Sequence, residues 1–404
     1  MQSINLLIGV VVLAAGANSA VGDPTAMPSS HSGNSASDDT RAYVGTYTGE
    51  GRGQGIYLFR TQHDAASQGN PRVMVSLAAE IKNPSFLAVD PKRGLLFAVS
   101  ETDAFEGQRS GAVSAFAIDA ATGKLTLLNR RASRGTGPCH LVLDATGRNL
   151  VLANYNSGSV AVFPVQADGR LGEATDFVQH AGKSIDPKRQ QGPHAHCVTL
   201  DAANHFVFVC DLGLDQILTY RFDAERGKLT PGDPAFTSIK AGSGPRHMVF
   251  RPDGRFAYVI SEMSSTITVF SYAAERGRLT ELQTISTLPP GFEGKSSCAE
   301  IAVLPSGRFL YASNRGSDTL ARFEIDPATG MLKYAEAQPT GGKTPRHFGL
   351  EPAGDRMAVA NQDSNTVFLC KIDAVTGQLQ PVGGPTEIPA PVCVVFMPPA
   401  ESSR

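Results

Sequence analysis

Residues 244–279 read GPRHMVFRPDGRFAYVISEMSSTITVFSYAAERGRL. A Gly-Pro start leads into a short apolar alternation, a Pro-Asp-Gly turn, and a second apolar run closed by Ser-Glu. A third alternating run then ends at a glycine-bearing turn. Period-two alternation reads as strand and the glycine turns as hairpins, so the stretch predicts three antiparallel strands with a fourth to follow. The same order recurs along the chain, starting with NPSFLAVDPKRG at Asn83, GPCHLVLDATG at Gly137 and GPHAHCVTLDAAN at Gly192. It continues with SCAEIAVLPSG at Ser297, TPRHFGLEPAG at Thr344 and APVCVVFMP at Ala390. Anchored on the proline, or on Cys298, the steps are 54, 55, 52, 53, 47 and 46 residues. A unit of about fifty residues holds four short strands.

The two ends of the chain settle how these units are arranged. The last unit has only a first strand, Val392–Met397, whereas the chain opens with RAYVGTYT and GIYLFRT, which match second and third strands. Together the ends complete one unit, so the expected fold is an all-β, seven-bladed propeller of four-stranded blades. Its last blade is closed by N-terminal and C-terminal strands, and closure removes the free sheet edges of an open array. The propeller is expected over residues 41–398, with a C-terminal tail at 399–404.

The apolar run Leu6–Ala15, followed by small residues near Ser19, reads as a secretory signal over residues 1–20. A Ser-, Gly- and Pro-rich linker then spans 21–40, so the expected location is periplasmic or secreted. The 404 residues include 36 Lys and Arg against 38 Asp and Glu, which supplies no basic field for nucleic acid or an anionic membrane. None of the six cysteines forms a Cys-x-x-Cys pair, and no metal or other cofactor is expected. Export leaves a disulfide open as an option, without choosing a pairing.

In a propeller the start of each first strand and the end of each second strand emerge on one face of the ring. That geometry gathers His194, His196, Arg246, His247, Glu300, Arg346, Asp211, Glu262, Asn314, Arg315, Asn361 and Gln362. At the opposite ends of these strands the recurring residues are turn formers, Asp, Pro and Gly. The recurring histidines of the first strands invite a scaffold reading, each bonding a backbone carbonyl of the next blade. Clustered arginines ask for an anion, because guanidinium groups repel one another unless a negative charge sits among them. The charged stretch Lys183–Gln191 reads as a solvated loop on the same face, with a lid as the alternative.

The motifs GPHAH at Gly192–His196, DLG at Asp211–Gly213, GPRH with Ser261-Glu262, SCAEI, SNRG at Ser313–Gly316, TPRHF and NQDS at Asn361–Ser364 resemble the propeller-type lactonases. That family includes bacterial 6-phosphogluconolactonases and carboxy-muconate lactonising enzymes. The resemblance implies a metal-independent hydrolase that opens a sugar-acid lactone. It implies a catalytic set of one histidine, two arginines and a glutamate, falling on His194 or His196, Arg246, Glu262 and Arg315. Glu262 follows Ser261 where family members often carry Asn. Asp211, His247, Glu300, Asn314, Arg346, Asn361 and Gln362 are then expected to bind substrate. The partner is a small lactone or carboxylate, and the chain is expected to be a monomer or weak dimer. A muconate-type lactonising cyclase is one alternative, and a non-catalytic periplasmic binding propeller is another.

Overall fold

The computed structural model describes residues 40–62 and 71–397. The signal, all of the linker but Thr40, and the tail lie outside the described residues. Seven separate antiparallel sheets follow one another around a ring. Blade 1 is built from Pro391–Phe396, Arg41–Thr46, Gly55–Gln62 and Arg72–Glu80, in order from the axis outward. The N-terminal strand lies between the C-terminal strand and Gly55–Gln62, with Val44 opposite both Val394 and Tyr57.

The first, innermost strands of blades 2 to 7 are Leu87–Asp90, Pro138–Leu143, Ala195–Leu200, Pro245–Phe250, Ser297–Val303 and Pro345–Leu350. Second strands such as Leu95–Ser100, Phe206–Asp211 and Phe256–Ser261 are buried along their whole length. They are apolar on both faces because each sheet packs between two others. Seven apolar clusters result, one at each blade interface. The cluster joining blades 7 and 1, with Val44, Phe59, Ala358, Val367 and Val394, closes the ring.

A recurring contact fixes the angle between blades. The glycine of the turn before the fourth strand takes a positive φ and abuts an aromatic ring of the preceding blade, as Gly277 does on Phe206 and Gly330 on Phe256. The Tyr258 hydroxyl donates to the Gly330 carbonyl at 3.0 Å, and Tyr43 does the same to Gly123 at 2.8 Å. A Cβ on Gly330 would stand 2.4 Å from the Phe256 ring at a backbone φ of 71°. Gly330→Ala is therefore expected to cost about 2–4 kcal/mol, seen as a lower urea midpoint with an unchanged m value. All six cysteines are buried free thiols, so the disulfide option is not taken.

Candidate active site

The first strands do not run as plain alternation. Their pairing with the second strands slips between Pro138 and His140, Ala195 and Cys197, Pro245 and His247, and Pro345 and His347. The residue skipped in each case is Cys139, His196, Arg246 or Arg346. In blade 6 the slip lies between Cys298 and Ile301, skipping Ala299 and Glu300. A bulge frees a residue from the pleat and re-aims its side chain. Strict alternation would send Arg246 and His247 to opposite faces, yet both line the central cavity, together with Phe86, Glu101, Cys139, His196, Arg346 and His347.

Glu262 is the hub of this face. Its Oε2 accepts from Arg246 Nε at 3.2 Å and forms an ion pair with Arg315 Nη2 at 3.0 Å, while Oε1 accepts from Arg189 Nη2 at 2.7 Å. Burial alone would raise the pKa of Glu262, but Arg315, Arg246 and Arg189 outweigh it and bring it down to about 2. Burial, opposed by Glu262 but reinforced by Arg246 and Arg346, draws Arg315 down to about 10, so it keeps its charge at neutral pH. Three guanidinium groups thus surround one carboxylate, a local surplus of two positive charges. Arg246 also donates through Nη1 to the Ala299 carbonyl at 2.7 Å, and Arg315 through Nη2 to the Cys298 carbonyl at 2.7 Å. Among the described residues no bond uses Arg246 Nη2 or Arg315 Nη1, which leaves donors for a ligand oxygen.

A second layer sets the direction of Arg246. Its Nη1 meets His247 Nε2 at 3.1 Å, and since arginine only donates, that nitrogen is an acceptor. His247 Nδ1–H therefore donates to Glu300, 3.1 Å away. His347 accepts from the Val394 amide at Nδ1, so its protonated Nε2 faces the same Oε2 of Glu300 at 3.2 Å. Burial lowers His140, His196 and His247 well below the ordinary imidazole range, with the nearby charge of Arg246 adding to it. These rings stay neutral: His247 meets Phe86, His140 and His196 edge to face, and His140 lies tilted against Phe86 with ring centroids 4.0 Å apart. The bond expected of the recurring histidines, to a carbonyl of the next blade, is replaced in two of them. His140 and His347 accept from amides of the next blade, Val198 and Val394, rather than donating to carbonyls.

His194 and His196 lie in different surroundings. His196 is buried, with Cys139 Sγ 3.9 Å from its Nδ1. His194 is partly exposed, its ring stacked on Tyr155 at 4.6 Å, and its Nδ1 is 3.0 Å from the Tyr155 carbonyl. A carbonyl only accepts, so Nδ1 carries the proton and Nε2 presents a lone pair. The Asp211 side chain is fully buried, bonded to His180 Nδ1 at 2.7 Å and to the His194 amide at 2.7 Å. Asn314 is held by Thr287 and Asn361 by the Thr340 carbonyl, both fully buried. These three side chains brace the loops of the face. Gln362 opens a single 3-10 turn and donates to Asp363. Arg346 stacks on Tyr47 and donates to its hydroxyl at 2.9 Å, which in turn donates to Glu101.

The sequence reading missed Tyr155 and Arg189. The latter lies in the stretch taken for a solvated loop, and only the buried Gln190 beside it, which the chain pattern does not reveal, shows that the loop is anchored.

Comparison with known proteins gives a consistent picture. The sequence model of a family described as a lactonase with a seven-bladed β-propeller matches residues 41–396. A 6-phosphogluconolactonase of Bacillus subtilis is 35% identical over 355 residues, covering 88% of this chain and 97% of that protein. Another, from Formosa agariphila, is 33% identical over 342 residues, covering 84% of this chain and 94% of its own. The structure of a periplasmic gluconolactonase from Pseudomonas aeruginosa superposes with a TM-score of 0.81 at 34% identity, covering 89% of this chain and 99% of its own. On the ring, its closure and these relatives, the chain belongs to the seven-bladed β-propeller lactonases.

Proposed function

We propose that this lactonase opens a sugar-acid lactone that carries a phosphate or carboxylate, with 6-phosphogluconolactone as the first candidate. The observation that carries this reading is the trio of guanidinium groups on Glu262, whose surplus charge an anionic ligand neutralises. His194 Nε2 takes a proton from water, and the resulting oxygen attacks the lactone carbonyl carbon. The oxyanion forms facing the unused N–H groups of Arg246 and Arg315. Collapse breaks the ring C–O bond, and His194 returns the proton to the departing alkoxide, giving the open hydroxy acid. Glu262, with a pKa of about 2, is a weak base and serves instead to hold the two arginines in place.

The apolar run at Leu6–Ala15 and the periplasmic relative support an exported enzyme, in which a carboxylated lactone meets the same charge requirement. The mature chain is taken as a monomer or weak dimer. The test is a panel of 6-phosphoglucono-, glucono- and aldaric acid lactones, with a carboxy-muconate assayed in the lactonising direction. Hydrolysis with kcat/KM at least tenfold higher for the anionic lactones is expected. Preference for the neutral lactone, or turnover of the muconate alone, overturns the reading.

A further inference from the structure

Arg189 differs from the other arginines of the site in where it is attached and how it is exposed. It comes from the loop between blades 3 and 4, not from a blade strand. That loop is a built bracket. The Asp186 carboxylate accepts from the Lys188 and Arg189 amides at 2.8 and 2.9 Å. Gln190, fully buried, donates to the Leu212 carbonyl at 2.9 Å and to Asp215 at 2.7 Å, and accepts from the Asp186 amide. Asp215 also takes the Ser184 hydroxyl and the amides of Gly242 and Gly244, just ahead of Arg246. The base of Arg189 is therefore fixed to the same turn that leads into the strand of Arg246.

Its side chain is the most exposed of the three on Glu262. It is 43% exposed, against 4% for Arg246 and 14% for Arg315. It reaches Glu262 Oε1 and, at 3.1 Å, the hydroxyl of Tyr155, the residue that orients His194. Glu262 keeps two other cations on Oε2 when Arg189 leaves. Arg189 is thus a surplus charge at the solvent mouth of the site, a long side chain on a hydrogen-bonded base.

We propose that Arg189 determines specificity for anionic lactones: it exchanges Glu262 for the substrate's phosphate or carboxylate and holds that group at the mouth. The inference rests on the lactonase reading and assigns within it the residue that recognises the remote charge. Binding energy from a group away from the reacting carbonyl fixes the ring against Arg246, Arg315 and His194. A phosphate suits a planar guanidinium, which offers two parallel donors.

The experiment compares wild type, Arg189→Gln and Arg189→Lys on 6-phosphoglucono-δ-lactone and D-glucono-δ-lactone, with the Kd for inorganic phosphate measured by calorimetry. Arg189→Gln is expected to lose about 30- to 100-fold in kcat/KM on the phosphorylated lactone, mostly through KM, and less than about threefold on the neutral one. Lysine is expected to restore part of the loss, since it keeps the charge without the fork. The Kd for phosphate is expected to weaken at least tenfold in the Gln variant. Equal losses on both lactones, or no loss on the phosphorylated one, overturn the proposal. Where wild type turns over neither lactone, the lactonase reading fails, and an unchanged phosphate Kd in Arg189→Gln then overturns this inference separately.

Discussion

Glu262→Gln is expected to lower kcat/KM for any accepted lactone by 10²- to 10³-fold, on the order of the loss when one oxyanion contact is misplaced. Three cations are organised by this one carboxylate, and an amide offers a single acceptor oxygen to hold them. Arg246 is buried and Arg315 partly buried against it, so the loss includes uncompensated charge as well as orientation. Affinity for inorganic phosphate should rise in the variant, since the competing anion is gone. Wild-type turnover in a folded Glu262→Gln protein would remove the hub from the mechanism. The same carboxylate predicts a pH effect on stability. Its pKa falls on folding from the ordinary 4.5 to about 2, because the three arginines outweigh the opposing effect of burial. Its contribution, roughly 3 kcal/mol, is therefore complete above pH 4.5 and lost as pH falls toward 2. Urea midpoints measured across that window should fall more steeply for wild type than for Glu262→Gln.

Much of this architecture is legible in one dimension because each blade repeats the same sequence of strands and turns. The half-unit at Val392–Met397 and the strands that open the chain require a closed ring, and the structure pairs them. Arg246, Glu262 and Arg315 stand out because a packing repeat has no use for them. The bulges were not legible. Arg246 and His247 are neighbours in an alternating strand, and only a slip in pairing turns both toward the axis. The direction of the histidine bonds was also hidden, since it depends on which nitrogen faces an amide of the next blade. Arg189 was hidden for a different reason. Its position is set by Gln190 and Asp215, twenty-five residues apart, and a charged loop looks solvated until its anchor is seen. Asp211 and Asn314 show the converse, polar residues on the expected face whose bonding groups are occupied by the frame, and Asn361 is held there through its Nδ2.

His194→Ala is expected to lower kcat by 10²- to 10³-fold with KM within about threefold of wild type, the pattern of a lost general base. Two histidines of GPHAH compete for this role, and their surroundings separate them. His196 is buried, and burial together with Arg246 disfavours its charged form, so accepting a proton there is costly. His194 is partly exposed, its Nδ1–H is fixed on the Tyr155 carbonyl, and its Nε2 presents a lone pair. Removing the His194 side chain leaves its amide on Asp211, so the loop is retained and the thermal midpoint should move by less than about 2 °C. Added imidazole should restore part of the turnover, an effect that a merely structural loss would not show. His196→Ala should behave in the opposite way, with a lower thermal midpoint from the cavity left beside Cys139 and His247 and no rescue by imidazole. Turnover of His194→Ala within fivefold of wild type would exclude His194 as the base. Rescue of His196→Ala by imidazole would transfer the role to the buried ring.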